Sequence, residues 1–163
     1  MKASNESENH AEKQAASKYR GIMQSVKSLS CDYDLMSELR EEREEADDKV
    51  MWDTNHAVEL SDVEEEADEC TTTEEAIEKI HESALEVQVR SDWTNPGETL
   101  EAAEFIILLC TGGPAVRIRG ELAQGVPSRA WIEYQDWGTP WIELFDTSSD
   151  VLCEYAANFA FME

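Results

Sequence analysis

Two hydrophobic periods run along this chain, and the change from one to the other falls near residue 84. Before it, apolar residues recur every three or four positions; after it, they alternate or run together. Between Gly21 and Pro96 there is neither glycine nor proline, so helix is limited only by capping chemistry. Ala15, Tyr19, Ile22, Val26 and Leu29 follow steps of four and three, which predicts a first helix from about Glu8 to Leu29 with a seam facing another helix. Gly21 in its middle would allow close approach. Ser28, Ser30 and Asp32 offer side-chain acceptors for a stop and restart. A second helix then begins near Tyr33 with Leu35, Met36 and Leu39, and Ala46 and Val50 continue its seam. Ala57, Leu60 and Ala67 extend that seam if Asp53 to Asn55 is not a break, and a restart near His56 is the alternative. Thr72 and Glu75 have capping-box spacing and open a further helix with the stripe Ala76, Ile77, Ile80 and Ala84.

Leu85, Val87 and Val89 alternate and predict a first strand. Asn95, Pro96 and Gly97 make a loop, and Glu98 to Ala103 is either a helical turn or an extended connection. Phe105 to Cys110 is a solid apolar run, an interior strand that needs cover on both faces, for which the helical arm is the available element. Thr111 to Pro114 is a hairpin connection into Ala115 to Leu122, where Val116 and Ile118 alternate with Arg117 and Arg119. After a turn at Gln124 to Ser128, strands are expected at Arg129 to Trp137 and Trp141 to Phe145. A closing helix, Ser149 to Phe159, carries Leu152, Tyr155, Ala156 and Phe159 on one stripe, with Thr147 and Asp150 at its start. The fold class is α+β: an acidic helical half, residues 1–84, of three or four helices in a hairpin or coiled-coil-like arrangement, then an antiparallel sheet of four or five strands with a C-terminal helix, residues 85–163.

Charge sharpens this division. The formal charge is −24 over 163 residues. Residues 1–37 are balanced, residues 38–86 carry −16 and residues 87–163 carry −8. Such a field opposes direct binding to nucleic acid or to an anionic membrane, and it attracts basic proteins. No apolar run reaches the ~20 residues that span a bilayer, and the polar N-terminus lacks a signal-type apolar region, so a soluble, cytoplasmic protein is expected.

Candidate chemistry is sparse. Cys31, Cys70, Cys110 and Cys153 lie far apart without a CxxC, and His10, His56 and His81 form no HxxxH, so the cysteines read as small buried apolar groups and no metal is expected. Gly112-Gly113 suggests a phosphate loop, but Pro114 removes a donor, a strand follows, and no lysine is present. The acidic run Glu59 to Glu69 lacks the glycine of a calcium loop. No nucleophile setting such as GxSxG occurs, so neither catalysis nor a cofactor is expected.

Two features point to binding instead. Fifteen acids fall between Glu38 and Glu69, a segment roughly 48 Å long if it forms one helix at about 1.5 Å per residue. That places a carboxylate every ~3.2 Å, close to the phosphate spacing of one DNA strand, so mimicry of nucleic acid toward a basic groove competes with a plain solvated face. Glu41, Glu42, Glu44, Glu45, Glu64, Glu65 and Glu66 are its candidate contact residues. Of the five tryptophans, Trp52, Trp93, Trp131, Trp137 and Trp141, the last three crowd into eleven residues. Trp131, Trp137 and Trp141 are either core or a partner-binding aromatic corner. Arg117, Arg119 and Arg129 would pair locally with Glu121, Glu133 and Asp136. The seam from Ala15 to Leu29 is satisfied either by a hairpin with Leu35 to Val50 or by a homodimer, and the small sheet inclines the balance to the dimer.

From about Leu85 onward, through Gly112, Gly113, Pro114, Tyr134, Gln135, Asp136, Trp137, Gly138, Thr139 and Pro140, the chain resembles a family of small acidic proteins carried by bacterial plasmids and phages. The helical half lies outside the resemblance. It implies a non-enzymatic inhibitor of host defence, of anti-CRISPR or antirestriction type, whose partner is a basic host protein such as a CRISPR effector complex. An immunity protein or antitoxin that neutralises a basic toxin needs the same charge and remains the alternative.

Overall fold

The computed structural model describes residues 3–46 and 54–161. Val50, Trp52 and Asp53, from the expected second seam, the tryptophan inventory and the expected break, lie outside the described residues. Helices α1 (Ala3–Leu29), α2 (Tyr33–Glu45), α3 (Thr54–Ala67) and α4 (Thr73–Ser83) precede strands β1 (Glu86–Ser91), β2 (Ala102–Cys110), β3 (Ala115–Ala123), β4 (Val126–Gln135) and β5 (Ile142–Glu143), and α5 (Ser149–Ala156) closes the chain. The α+β class is as the two periods require. No helix among the described residues is long and apolar enough to cross a membrane.

The chain forms two compact units, and they do not divide at residue 84. One consists of the chain up to Met23 together with Ile80 onward, and the other of Gln24–Lys79. Specific bonds hold the first unit together across the sequence. The Tyr19 hydroxyl accepts from the Ser148 amide at 2.7 Å, the Tyr155 hydroxyl meets the Ser83 hydroxyl at 2.5 Å, and His81 Nε2 donates to the Asn158 carbonyl at 2.6 Å.

In that unit the five strands follow in the order β1-β2-β3-β4-β5, every pair antiparallel. Register places Phe105 opposite Gly120, Ile107 opposite Ile118, and Ile118 opposite Ile132, so one face is continuous hydrocarbon. Phe105, Ile107, Val116, Ile118 and Ile132 are fully buried there, with Leu152 and Tyr155 of α5. Gly120 is required by this packing, since a Cβ would lie 2.4 Å from the Phe105 ring and 2.5 Å from the Arg129 carbonyl oxygen. α5 is pinned to β4 by the Ala130 amide, which donates to Ser149 Oγ at 2.9 Å.

Several boundaries move for identifiable reasons. Gln124 and Gly125 both have positive φ, giving the two-residue turn that matches strand twist, so β4 starts at Val126 instead of Arg129. Ser148, not Thr147, caps α5 by accepting from the Val151 amide at 3.4 Å, and the helix stops at Ala156 instead of Phe159. The other face of β2 does not need a helix. Ile106 and Leu108 sit beside Arg119 and Arg117 in register and are half-buried under those long side chains.

The unit Gln24–Lys79 is built on a second cluster, Cys31, Met36, Leu39, Leu60 and Ala67, with Tyr33, Leu35 and Val63 packed on it. Asp32 caps α2, its carboxylate accepting from the Leu35 amide at 2.9 Å. The Glu75 amide donates to Thr72 Oγ1 at 3.2 Å as a capping box requires, but the Glu75 carboxylate accepts from Thr71 instead of Thr72, the Thr71 amide and hydroxyl both donating to it at 2.7 and 2.9 Å. Those two bonds hold its carboxyl below the usual range. The seam residues Ala15, Ile22 and Val26 are buried within the single chain, so the apolar stripe that favoured a dimer through α1 is already covered. At Gly21 a Cβ would meet nothing within 4 Å, which removes the close approach expected there.

Candidate partner-binding surfaces

The acidic segment is a folded hairpin, not one rod. Ala46 leaves the helical region with ψ 109°, ending α2 after 13 residues, and α3 runs for 14 residues. Each is therefore roughly 20 Å long. Their directions are opposed, because Glu42 lies beside His56 while Cys31, earlier in sequence, lies beside Val63. The turn-by-turn match to a single DNA strand over ~48 Å therefore does not form. What remains is two short helices whose carboxylates face water.

Glu41, Glu42, Glu44 and Glu45 on α2, and Glu65 and Glu66 on α3, are exposed. Glu64 differs: it is half-buried, and Arg40 Nε binds its carboxylate at 2.9 Å across the hairpin. The α3 C-terminus is held through its backbone, where the last carbonyls of a helix lack internal donors. Gln24 Nε2 donates to the Glu65 carbonyl at 2.8 Å, and the buried Ser28 hydroxyl lies 3.0 Å from the Glu66 carbonyl. Main-chain anchoring leaves both carboxylates free to project. With twenty acids against five bases, Gln24–Lys79 carries −15 of the total charge.

In the other unit the three candidate tryptophans do not form one cluster. Trp131 and Trp141 belong to a ladder on the sheet face opposite the core. Trp131 Nε1 donates to Glu133 at 2.9 Å, Glu133 pairs with Arg117 at 2.7 Å, and the Arg117 guanidinium lies 3.9 Å from the Trp141 ring centroid. Arg129 pairs with Glu121, as its position suggested, at 3.7 Å. Arg119 goes outside the expected set of Glu121, Glu133 and Asp136; it binds Glu104 at 2.9 Å, and Glu104 also holds Arg90 at 2.5 Å. Those two guanidiniums, Arg119 first, keep the Glu104 carboxyl below its usual range.

Trp137 stands apart with 80% of its surface exposed. Its amide is held by Asp136 Oδ1 at 2.8 Å, and its indole nitrogen donates to the Gly112 carbonyl at 2.8 Å. Gly113 admits the ring: a Cβ there would lie 1.9 Å from Trp137 Nε1. The Thr139 hydroxyl closes the turn by accepting from the Asp136 amide at 3.1 Å. A cleft of about 170 Å³ lies between the two loops, lined by Gly112, Gly113, Gln135 and Trp137 among others. Gly112-Gly113-Pro114 and Gln135 to Pro140, separate in sequence, thus make one preformed corner presenting a large aromatic surface.

Sequence reasoning did not find Glu104 as the hub of two arginines, nor Gly113 as the seat of Trp137. The first depends on strand register. The only signal for the second is that glycine-rich and aromatic motifs flank the β3–β4 hairpin. Trp93 and Leu100 are also exposed, at 101% and 69%. Among the described residues, no three His, Cys, Asp or Glu side chains converge to hold a metal ion. Cys31 and Cys70 are buried, and burial raises both thiols above their ordinary value, so each remains a protonated, unreactive group at neutral pH. Tyr33, beside them, is pushed up to about 12, first by burial and then by the two thiols.

No family model, curated protein or solved structure matches the chain.

Proposed function

We propose that the protein is a non-enzymatic inhibitor from a mobile element, which binds the basic nucleic-acid-binding surface of a host defence complex. A CRISPR effector is the target class that the resemblance of its C-terminal half implies. The observation that carries this reading is the exposure of Glu41, Glu42, Glu44, Glu45, Glu65 and Glu66 on a short, internally packed hairpin. Like charges at helical spacing, such as Glu41 and Glu45, repel by a few tenths of a kcal/mol per pair. A cationic surface relieves that repulsion, so binding gains from a strain the free protein carries. Mimicry here rests on local charge density rather than on the repeat of a long rod. Trp137, rigid and exposed, supplies apolar contact that charge alone lacks.

The test is competition. The protein is titrated into a panel of purified guide-loaded CRISPR effectors while target-DNA binding is measured. Binding of DNA should fall, and the inhibition should weaken as salt rises from about 50 to 200 mM, since exposed attraction is screened over ~10 Å at 0.1 M. Reversing the six glutamates to lysine should abolish it. Inhibition that survives the reversal would remove the acidic hairpin from the mechanism. If no effector is inhibited but a small basic toxin is neutralised, the immunity-protein alternative replaces this one.

A further inference from the structure

The two edges of the sheet are unequal. β5 pairs with β4 over only Ile142 and Glu143, whereas β1 is six residues long and exposed along nearly its whole length. An edge strand carries a row of main-chain donors and acceptors on its outer side, a template for one more strand. Leu85, Val87 and Val89 are exposed at 60%, 38% and 50%, and the two valines belong to the face that carries Phe105 and Ile107. The opposite face of β1 is polar, with Glu86, Gln88 and Arg90.

We infer that β1 is a dimerisation edge, at which a second copy of this chain adds its own β1 antiparallel to form one continuous ten-stranded sheet.

The sequence of β1 decides the register. A two-fold axis perpendicular to the sheet maps each face onto itself, so it must lie midway between one residue and that residue's equivalent in the second copy, and pair positions of equal parity. Centred on Gln88, it sets Glu86 opposite the second copy's Arg90, Val87 opposite its Val89, and Gln88 opposite its own equivalent. Both charged pairs are then of opposite sign, and the exposed valines cover one another. Centring on Val89 would instead bring Glu86 against Asp92, two like charges. Centring on Val87 would leave Arg90 opposite Ala84. Only the Gln88 register complements charge and hydrocarbon together.

The same register provides for Leu85. Its amide is still tied to β2, donating to the Leu108 carbonyl at 2.7 Å. Opposite Ser91 of the other copy, it enters a groove of about 440 Å³ lined by Val89, Ser91, Leu100 and Phe161. Arg90 retains room for a second carboxylate, because its side chain is 69% exposed even with Glu104 bound. The repulsion between two chains of −24 is screened over ~10 Å at 0.1 M salt and does not forbid the contact.

Sedimentation of the full chain over a wide concentration range tests this, with circular dichroism confirming that each variant is folded. The wild type should show reversible dimerisation, and Val87→Lys, a change at a partly exposed position, should weaken it at least about tenfold, equivalent to ~1.4 kcal/mol. Gln88→Cys gives an independent reading, because only this register places residue 88 opposite itself, within disulfide reach. It should form a covalent dimer on mild oxidation well above the wild-type level. The proposal is overturned by a chain that stays monomeric, by a dimer that Val87→Lys leaves unchanged, or by Gln88→Cys that cross-links no more than wild type. A monomer whose β1 amides become protected only when a target protein binds would assign the edge to a target strand, and would overturn it too.

Discussion

The indole nitrogen of Trp137 donates to the carbonyl oxygen of Gly112, 25 residues earlier, at 2.8 Å. That single bond joins the β2–β3 hairpin to the turn after β4, and it fixes the orientation of a ring that is otherwise in water.

Gly113 is the residue on which the arrangement depends. Gly113→Ala places a methyl group 1.9 Å from the indole nitrogen and forces an alanine to φ 95°. Gly112→Ala has the same backbone problem, at φ 108°, but its Cβ meets nothing within 4 Å. Both should lose the ~1–3 kcal/mol of a strained residue, and Gly113→Ala should also release the indole. The Trp137 indole N–H resonance should move toward a solvent-exposed position in Gly113→Ala and stay near its place in Gly112→Ala.

Removing the ring separates stability from recognition. Because Trp137 is mostly exposed, Trp137→Ala should lower the unfolding free energy by less than about 1 kcal/mol. If the corner makes the proposed contact, affinity for the proposed target should fall by about 2 kcal/mol or more, as for a central aromatic anchor. Isothermal titration beside urea unfolding reads both.

Glu104 predicts a loss of stability in acid. Its folded pKa is depressed by Arg119 and Arg90, so the unfolded state binds the proton more readily. The contribution is complete above the unfolded value near pH ~4.3 and is lost as pH falls through the lower folded value. Glu104→Gln should therefore be less stable than wild type at pH 7, with the difference shrinking below about pH 4. Urea midpoints across pH check this, and a gap that is constant with pH would contradict it.

Gly21→Ala should stabilise the chain. The position is exposed in mid-helix with no neighbour within 4 Å of an added Cβ, so only helix propensity changes. The gain is about 1 kcal/mol, or ~2–4 °C in Tm for a chain of this size.

How much of this was legible in advance follows from the range of each interaction. Hydrophobic period and capping are local, so the sequence by itself determined the α+β class, the strands, the order of the meander, the hairpin at Gly112-Gly113 and a helix restart within Ser28 to Asp32, while leaving open whether α2 and α3 are one helix. The alternation of Val116 and Ile118 with Arg117 and Arg119 likewise determined which side of β3 meets the core.

Only the tertiary structure decided the rest, because it depends on which distant groups meet. The opposed directions of α2 and α3 decided for a hairpin over the alternative of one acidic rod, and tied Glu64 to Arg40. Strand register gave Arg119 to Glu104, an acid outside the three expected to pair with the arginines. Tyr19 and Tyr155 drew α1 up to Met23 and the end of α4 into the unit of the sheet, across a boundary that the change of hydrophobic period had placed at residue 84. A period of 3.6 or 2 tells a residue which way to face, and a hydrogen bond across 25 or 129 positions tells it what it faces.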